Sequence, residues 1–153
     1  MKKTILVLMG LALIVLLCAP SVSAFGISNC LYRGTIQNGS SVNYPMELYL
    51  TWGEPSRNLS VVVMERTGET MTGSAVSWIT VDKPTVTLRN PDNILFDKTW
   101  RYVIGTKVPE TATITVPAGT PPGIYKAKIF YQVMGINGMV QWGIDAPVTI
   151  TVK

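Results

Sequence analysis

Residues 108–133 read V-P-E-T-A-T-I-T-V-P-A-G-T-P-P-G-I-Y-K-A-K-I-F-Y-Q-V, and they decide the class of the fold. In residues 111–116, Ala112, Ile114 and Val116 fall on one side and Thr111, Thr113 and Thr115 on the other. A period of two with threonine outside is the pattern of a half-buried strand. The run Pro117-Ala118-Gly119-Thr120-Pro121-Pro122-Gly123 cannot extend that strand. Its prolines lack N–H donors and its glycines admit φ > 0, so the chain turns. Alternation resumes at Ile124. Tyr125, Ala127, Ile129, Tyr131 and Val133 share one face, and Lys126, Lys128 and Gln132 share the other. Phe130 interrupts the polar row. A buried Tyr125 needs an acceptor for its hydroxyl, and a carbonyl of the turn is the nearest candidate.

Working outward, residues 42–52 alternate as cleanly, with Val42, Tyr44, Met46, Leu48, Leu50 and Trp52 on one side. Pro45 stands early in this run, where a strand tolerates it best. Residues 26–38 alternate poorly and suit an edge, followed by a turn at Gln37-Asn38-Gly39-Ser40-Ser41 whose Asn-Gly pair favours a tight hairpin. Residues 59–65 carry Val61-Val62-Val63-Met64, which fits a strand covered on both faces or an edge that binds something. Residues 76–81, with Trp78 and Ile79, read as a short strand, and so do residues 85–88 after Pro84. Residues 100–104 suit an added strand, and residues 105–110 a link into the run already described. Gly135-Ile136-Asn137-Gly138 is a second tight-turn signal. Residues 140–144 and 148–152 form either a last strand pair or one strand bent at Ala146-Pro147. About seven to nine short strands with turns every ~8–12 residues is the signature of an all-β sandwich.

The pattern I-T-V-P-A-G-T-P-P-G-I-Y-K-A-K-I at residues 114–129 resembles the penultimate hairpin of immunoglobulin-like modules in secreted and cell-surface prokaryotic proteins. Ser77-Trp78-Ile79-Thr80 followed by residues 85–88 is similar to the middle of such modules. The resemblance covers residues 59–153 and, more weakly, the part before. It implies an immunoglobulin-like β-sandwich used at a surface or outside the cell. It carries over no functional residue, because the shared positions are turn and core residues.

Met1-Lys2-Lys3, the apolar run 4–17 and Ala19-Pro20-Ser21-Val22-Ser23-Ala24 read as a secretory signal peptide, with Val22 and Ala24 at the −3 and −1 positions. Domain organisation is then a signal peptide at 1–24 and one sandwich at 25–153. The alternatives are an uncleaved anchor, or a lipid at Cys18, against which Leu17 argues. The whole chain carries 13 Lys and Arg against 9 Asp and Glu. With Lys2 and Lys3 gone the net charge falls from +4 to +2, too little to indicate nucleic acid or an anionic membrane. Membrane contact is expected only if the N-terminal segment is retained. Cys30, alone in 25–153, allows no internal disulfide. Beside Leu31 and Tyr32 it reads as a buried small hydrophobe, with an intermolecular thiol as the functional alternative. The absence of histidine excludes His-dependent triads and argues against ordinary zinc and iron sites.

No cofactor, metal ligand set or catalytic residue is assigned. Glu65 with Glu69, or Asp92 with Asp97, could be paired carboxylates, but acids scattered over loops are an ordinary surface. Asp92, Asn93 and Asp97 fit no calcium-loop spacing. Asn38-Gly39-Ser40 and Asn58-Leu59-Ser60 match the glycosylation acceptor pattern. Trp52 and Trp78 sit in apolar patterns and are assigned to the core. The candidate partner surface is Trp100, Trp142, Val62, Met64 and Phe130. The leading expectation is a non-enzymatic exported or cell-envelope domain whose partner is another envelope or surface protein. A carbohydrate-binding module using exposed Trp100 or Trp142 is the alternative, with polysaccharide as ligand, and a glycan-active enzyme comes third.

Overall fold

The computed structural model describes residues 25–50, 56–67, 70–89, 107–135 and 137–153. Ten strands are described: β1 (Phe25–Ser28), β2 (Tyr32–Ile36), β3 (Ser41–Leu50), β4 (Arg57–Met64), β5 (Gly73–Ser74), β6 (Ile79–Val81), β7 (Thr85–Leu88), β8 (Val108–Thr115), β9 (Gly123–Met134) and β10 (Val140–Val152). They form a four-stranded sheet in the order β1-β3-β8-β6 and a six-stranded sheet in the order β2-β10-β9-β4-β7, with β5 pairing β9.

The alternation read from the sequence builds the interior. Ala112, Ile114 and Val116 are buried from one sheet, and Tyr125, Ala127, Ile129, Tyr131 and Val133 from the other. Met46, Leu48 and Leu50 of β3 add to the first layer, and Ala146, Val148, Ile150 and Val152 of β10 to the second. Two inner faces with a period of two interdigitate into one apolar layer, and each large side chain buried there contributes about 1.5–3 kcal/mol. Trp78 is part of this core and meets Tyr125 with ring centroids 4.5 Å apart. The Tyr125 hydroxyl donates to the Pro121 carbonyl at 2.9 Å, the turn acceptor expected for it.

Several connections differ from the local reading. β8 and β9 do not form a hairpin: β8 lies in the four-stranded sheet and β9 in the six-stranded one. The Pro-rich turn between them, with Gly119 at φ 82, is an arch from one layer to the other. Both strands bury their apolar rows, so each row must face the other across the core. The Asn38-Gly39 turn is likewise an arch between β2 and β3, with Gly39 at φ 75. The turn after β9 does make a hairpin, closed by the Gly135 amide donating to Met139 O at 2.8 Å. β10 is one strand, irregular at Val140/Trp142 rather than at Pro147. Residues 76–78 are a 3₁₀ turn, and only Ile79–Val81 is strand. β4 lies between β9 and β7 along residues 57–60 with one face outward, while residues 62–64 have β9 on one side and no strand of the described residues on the other; it is not covered on both faces. Cys30 is exposed rather than buried, because it stands outside both strands in the link between them. The expectations on residues 1–24, Trp52, Glu69, residues 90–106 and Ile136 lie outside the described residues.

Two links switch sheets. β1 pairs β3 in one sheet, and after Asn29, Cys30 and Leu31 the chain continues as β2 against β10 in the other. β6 pairs β8, and after Asp82, Lys83 and Pro84 the chain continues as β7 against β4. Corners of this kind divide one extended run between two sheets. Asn29 takes a positive φ of 54, which asparagine tolerates.

Candidate interaction surface

The outer face of the six-stranded sheet carries Val62 and Met64 from β4 and Phe130 from β9. Val62 stands directly opposite Phe130 in the ladder, and Met64 opposite Lys128. Val62 and Met64 are 37% and 39% exposed, on the part of β4 that β7 does not cover. Phe130 is half-buried and held from two sides. A Cβ built on Gly143 would lie 2.6 Å from its ring, so the ring occupies the space that a side chain at 143 would need. Lys128 Nζ lies 5.3 Å from the ring centroid and 3.1 Å from Asp145 Oδ2. A cation over an aromatic face, paired with a carboxylate, fixes both the ring and the ammonium. The result is a small apolar strip, Val62–Phe130 with Met64 beside it, bordered by one ion pair.

Trp142 does not belong to this strip. Its register opposite Val133 puts it on the inner face, where its ring lies 5.1 Å from that of Phe25. It keeps the period of two with Ala146, Val148 and Ile150, an alternation that runs unbroken from Trp142 to Val152, and the irregularity at Val140/Trp142 lies before it. Trp100 lies outside the described residues. Asn58 Oδ1 accepts from Thr87 Oγ1 at 3.0 Å and Asn38 Oδ1 from the Thr120 amide at 3.3 Å, so both acceptor asparagines also serve local structure.

Behind the second corner is a group that the local reading assigned to a linker. Glu110 is 1% exposed on the inner face of β8, and neither carboxyl oxygen has a well-formed hydrogen bond among the described residues, although the Lys83 amide and the Asp82 carboxyl lie close enough to act on it. Burial, and then the charge of Asp82, push its pKa up to about 7, with the Lys83 amide and ammonium opposing them. Tyr131, fully buried, has its hydroxyl 3.5 Å from Met46 Sδ. Burial and then the Glu110 charge raise its pKa as well. The corner itself is tied down by Asp82, whose Oδ1 accepts from the Thr111 amide at 2.7 Å, and by Lys83, whose Nζ donates to Pro109 O at 2.6 Å and to Asp82 Oδ2 at 2.7 Å. Burial works against ionisation of Asp82, but the bonds from Lys83 and Thr111 outweigh it and hold the carboxyl below its usual range. The sequence signal for Glu110 was its parity: it shares a side with Ala112, Ile114 and Val116. Among the described residues no cluster of three or more His, Cys, Asp or Glu could hold a metal ion, and no helix is long and apolar enough to cross a membrane.

No protein-family model matches the sequence, and no curated protein matches it either. Among solved structures, the chain is similar to a family 123 glycoside hydrolase from Clostridium perfringens, with TM-score 0.50 and 10% identity over 85% of this chain and 27% of that one. It is equally similar to the E. coli chaperone DraB, with TM-score 0.50 and 9% identity over 86% of this chain and 55% of that one. The fold is an immunoglobulin-like β-sandwich. The periplasmic chaperone SfaE aligns less closely, with TM-score 0.48 and 7% identity over 85% of this chain and 57% of its own. This sandwich spans about a quarter to a little over half of those proteins. At such identities the likeness is one of fold, and a fold of this kind hosts unrelated functions.

Proposed function

We propose that the chain is an exported, non-catalytic immunoglobulin-like domain that binds another protein of the cell envelope or surface through the outer face of its six-stranded sheet. The observation that carries this reading is the strip of Val62, Met64 and Phe130. Sheet faces turned to water ordinarily carry the polar half of the alternation. Here apolar side chains from two neighbouring strands are held outward in register, and Phe130 is braced by Gly143 and Lys128. Such a strip is a ready anchor for a partner's apolar residues, with the Lys128–Asp145 pair at its rim. Export rests on the N-terminal reading of residues 1–24. The fold shared with the chaperone DraB agrees with a protein-binding role. A non-catalytic role accords with the lack of histidine and with Glu110 standing out of reach of solvent.

Site-specific photocrosslinking in the native host tests the reading. A crosslinker at Met64 is expected to give a discrete adduct that Phe130→Lys abolishes, while one at Thr87 gives none. No adduct at Met64, or equal adducts at both positions, would count against it. The carbohydrate reading now rests on Trp100 alone, since Trp142 faces inward. Protection of tryptophan fluorescence from acrylamide by a polysaccharide would favour it.

A further inference from the structure

The two corners leave four half-edges, and the sheets treat them differently. In the four-stranded sheet β1 covers β3 only at Leu48, its neighbours and Leu50, and the open part is met by Asn29, whose Nδ2 donates to Pro45 O at 3.5 Å. β6 covers β8 only from Ala112 to Ile114, and the open part is met by Asp82 and Lys83. In the six-stranded sheet, among the described residues, no side chain is seen to bond the open main chain of residues 140–147. β7 leaves only residues 62–64 of β4. β2 pairs β10 from Val148 onward, and residues 140–147 have β9 on one side and no strand of the described residues on the other.

This longer half-edge has a direction and two ends. Pro147 stands opposite Lys128 in the ladder with β9. Proline has no N–H, so it sits in a strand with its nitrogen toward the free edge. Gly143 and Asp145, two and four residues before it, then turn their own N–H and C=O groups the same way. At one end lie the irregularity at Val140/Trp142 and the exposed Met139 and Val140, 66% and 46% exposed. At the other end lies Leu31, 58% exposed, immediately before the start of β2.

We propose that this half-edge pairs with its own copy: two chains join antiparallel through β10, about a two-fold axis at Ile144. In that register Gly143 of each copy faces Asp145 of the other, and their outward N–H and C=O groups satisfy each other. On the inner side Ile144 meets Ile144, and the large Trp142 meets the small Ala146. On the outer side each Asp145 faces a glycine rather than a second Asp145, and each is already paired with Lys128. Beyond Pro147 the slot is occupied by β2, so pairing stops there, and the incoming Met139 and Val140 arrive against Leu31. One register thus covers three of the exposed large apolar side chains and pairs the open main chain. A self-complementary patch of this kind closes at two copies. The inference stands on the edge alone and does not depend on the strip of Val62 and Phe130.

Sedimentation velocity of the full chain over a concentration series gives the first test. A reversible dimer is expected, and Asp145→Pro, which removes an outward N–H and leaves the β9 ladder intact, should raise its dissociation constant at least about tenfold. The second test uses a background of Cys18→Ser and Cys30→Ser. Ile144→Cys, at the axis, should form a disulfide-linked dimer, since directly opposite residues bring their Cβ atoms to roughly 4.5–5.5 Å. Thr149→Cys, beside β2, should not. If the proline variant fails to fold, the cysteine pair decides. A monomer at every concentration, a dimer indifferent to Asp145→Pro, or equal crosslinking at 144 and 149 would overturn the proposal. So would a monomer that instead takes up an extended strand of another protein at this edge.

Discussion

The two sheets of this sandwich keep their exceptions in opposite places. The four-stranded sheet is orderly outside, with its half-edges met by Asn29, Asp82 and Lys83, and it hides its anomaly: Glu110 is buried with no well-formed hydrogen bond to its carboxyl among the described residues. The six-stranded sheet is orderly inside, with an unbroken apolar row on β9, and it displays its anomalies: Val62, Met64 and Phe130 on the face and residues 140–147 along the edge. A buried exception acts on stability and its pH dependence. A displayed one costs the fold little and remains available to a partner.

The contrast between inside and outside is broken or sharpened most strongly on β9 itself. Ile129 is fully buried and Phe130, its neighbour, faces out. Ile129→Ala should cost about 2–5 kcal/mol in denaturant unfolding, because it leaves a cavity in the core. Phe130→Ala should cost less than about 1 kcal/mol. Equal losses would mean that the outer face is structural.

The next largest effect belongs to Glu110. A carboxyl with a folded pKa raised to about 7 binds its proton more tightly in the folded chain than in the unfolded one. Its stabilising contribution is complete below the unfolded value and is lost as pH rises through 7. Wild-type stability should therefore fall by roughly 2–3 kcal/mol between pH 5 and pH 8 on this account. Glu110→Gln should remove most of that fall, unfolding later than wild type at pH 8 and at about the same point at pH 5. A parallel pair of pH profiles would show that Glu110 finds a partner in solution.

Smaller again is the corner. Asp82→Ala removes the acceptor of the Thr111 amide and the partner of Lys83 at a partly exposed site, and should cost about 1 kcal/mol. Faster amide exchange should appear in β6 and β7 rather than in β10. Smallest is Val62→Thr, which should shift stability by less than about 0.5 kcal/mol while weakening the photocrosslink from Met64.

The face strip was legible in the sequence because Val62, Met64 and Phe130 each break an alternation, and a broken alternation is a local signal. The inward side of Trp142 follows from its parity with Ala146, Val148 and Ile150, and that parity shows only when residues 140–152 are one strand rather than two divided at Ala146-Pro147. Cys30 and Leu31 read as strand because nothing local marks a corner where the pairing partner changes. Glu110 was legible only by extending the parity of Ala112 and Ile114 back through a charge.

The sequence by itself determined which rows of residues are apolar, where the chain must turn and that the product is all β. Those are one-dimensional properties: a period of two, prolines without donors, glycines at positive φ. Only the tertiary structure decided that the turns after β2 and β8 are arches and the one after β9 a hairpin. A turn sequence sets a local backbone angle. Which strand then lies alongside depends on where the next apolar row can be buried, and that is settled by the whole core at once.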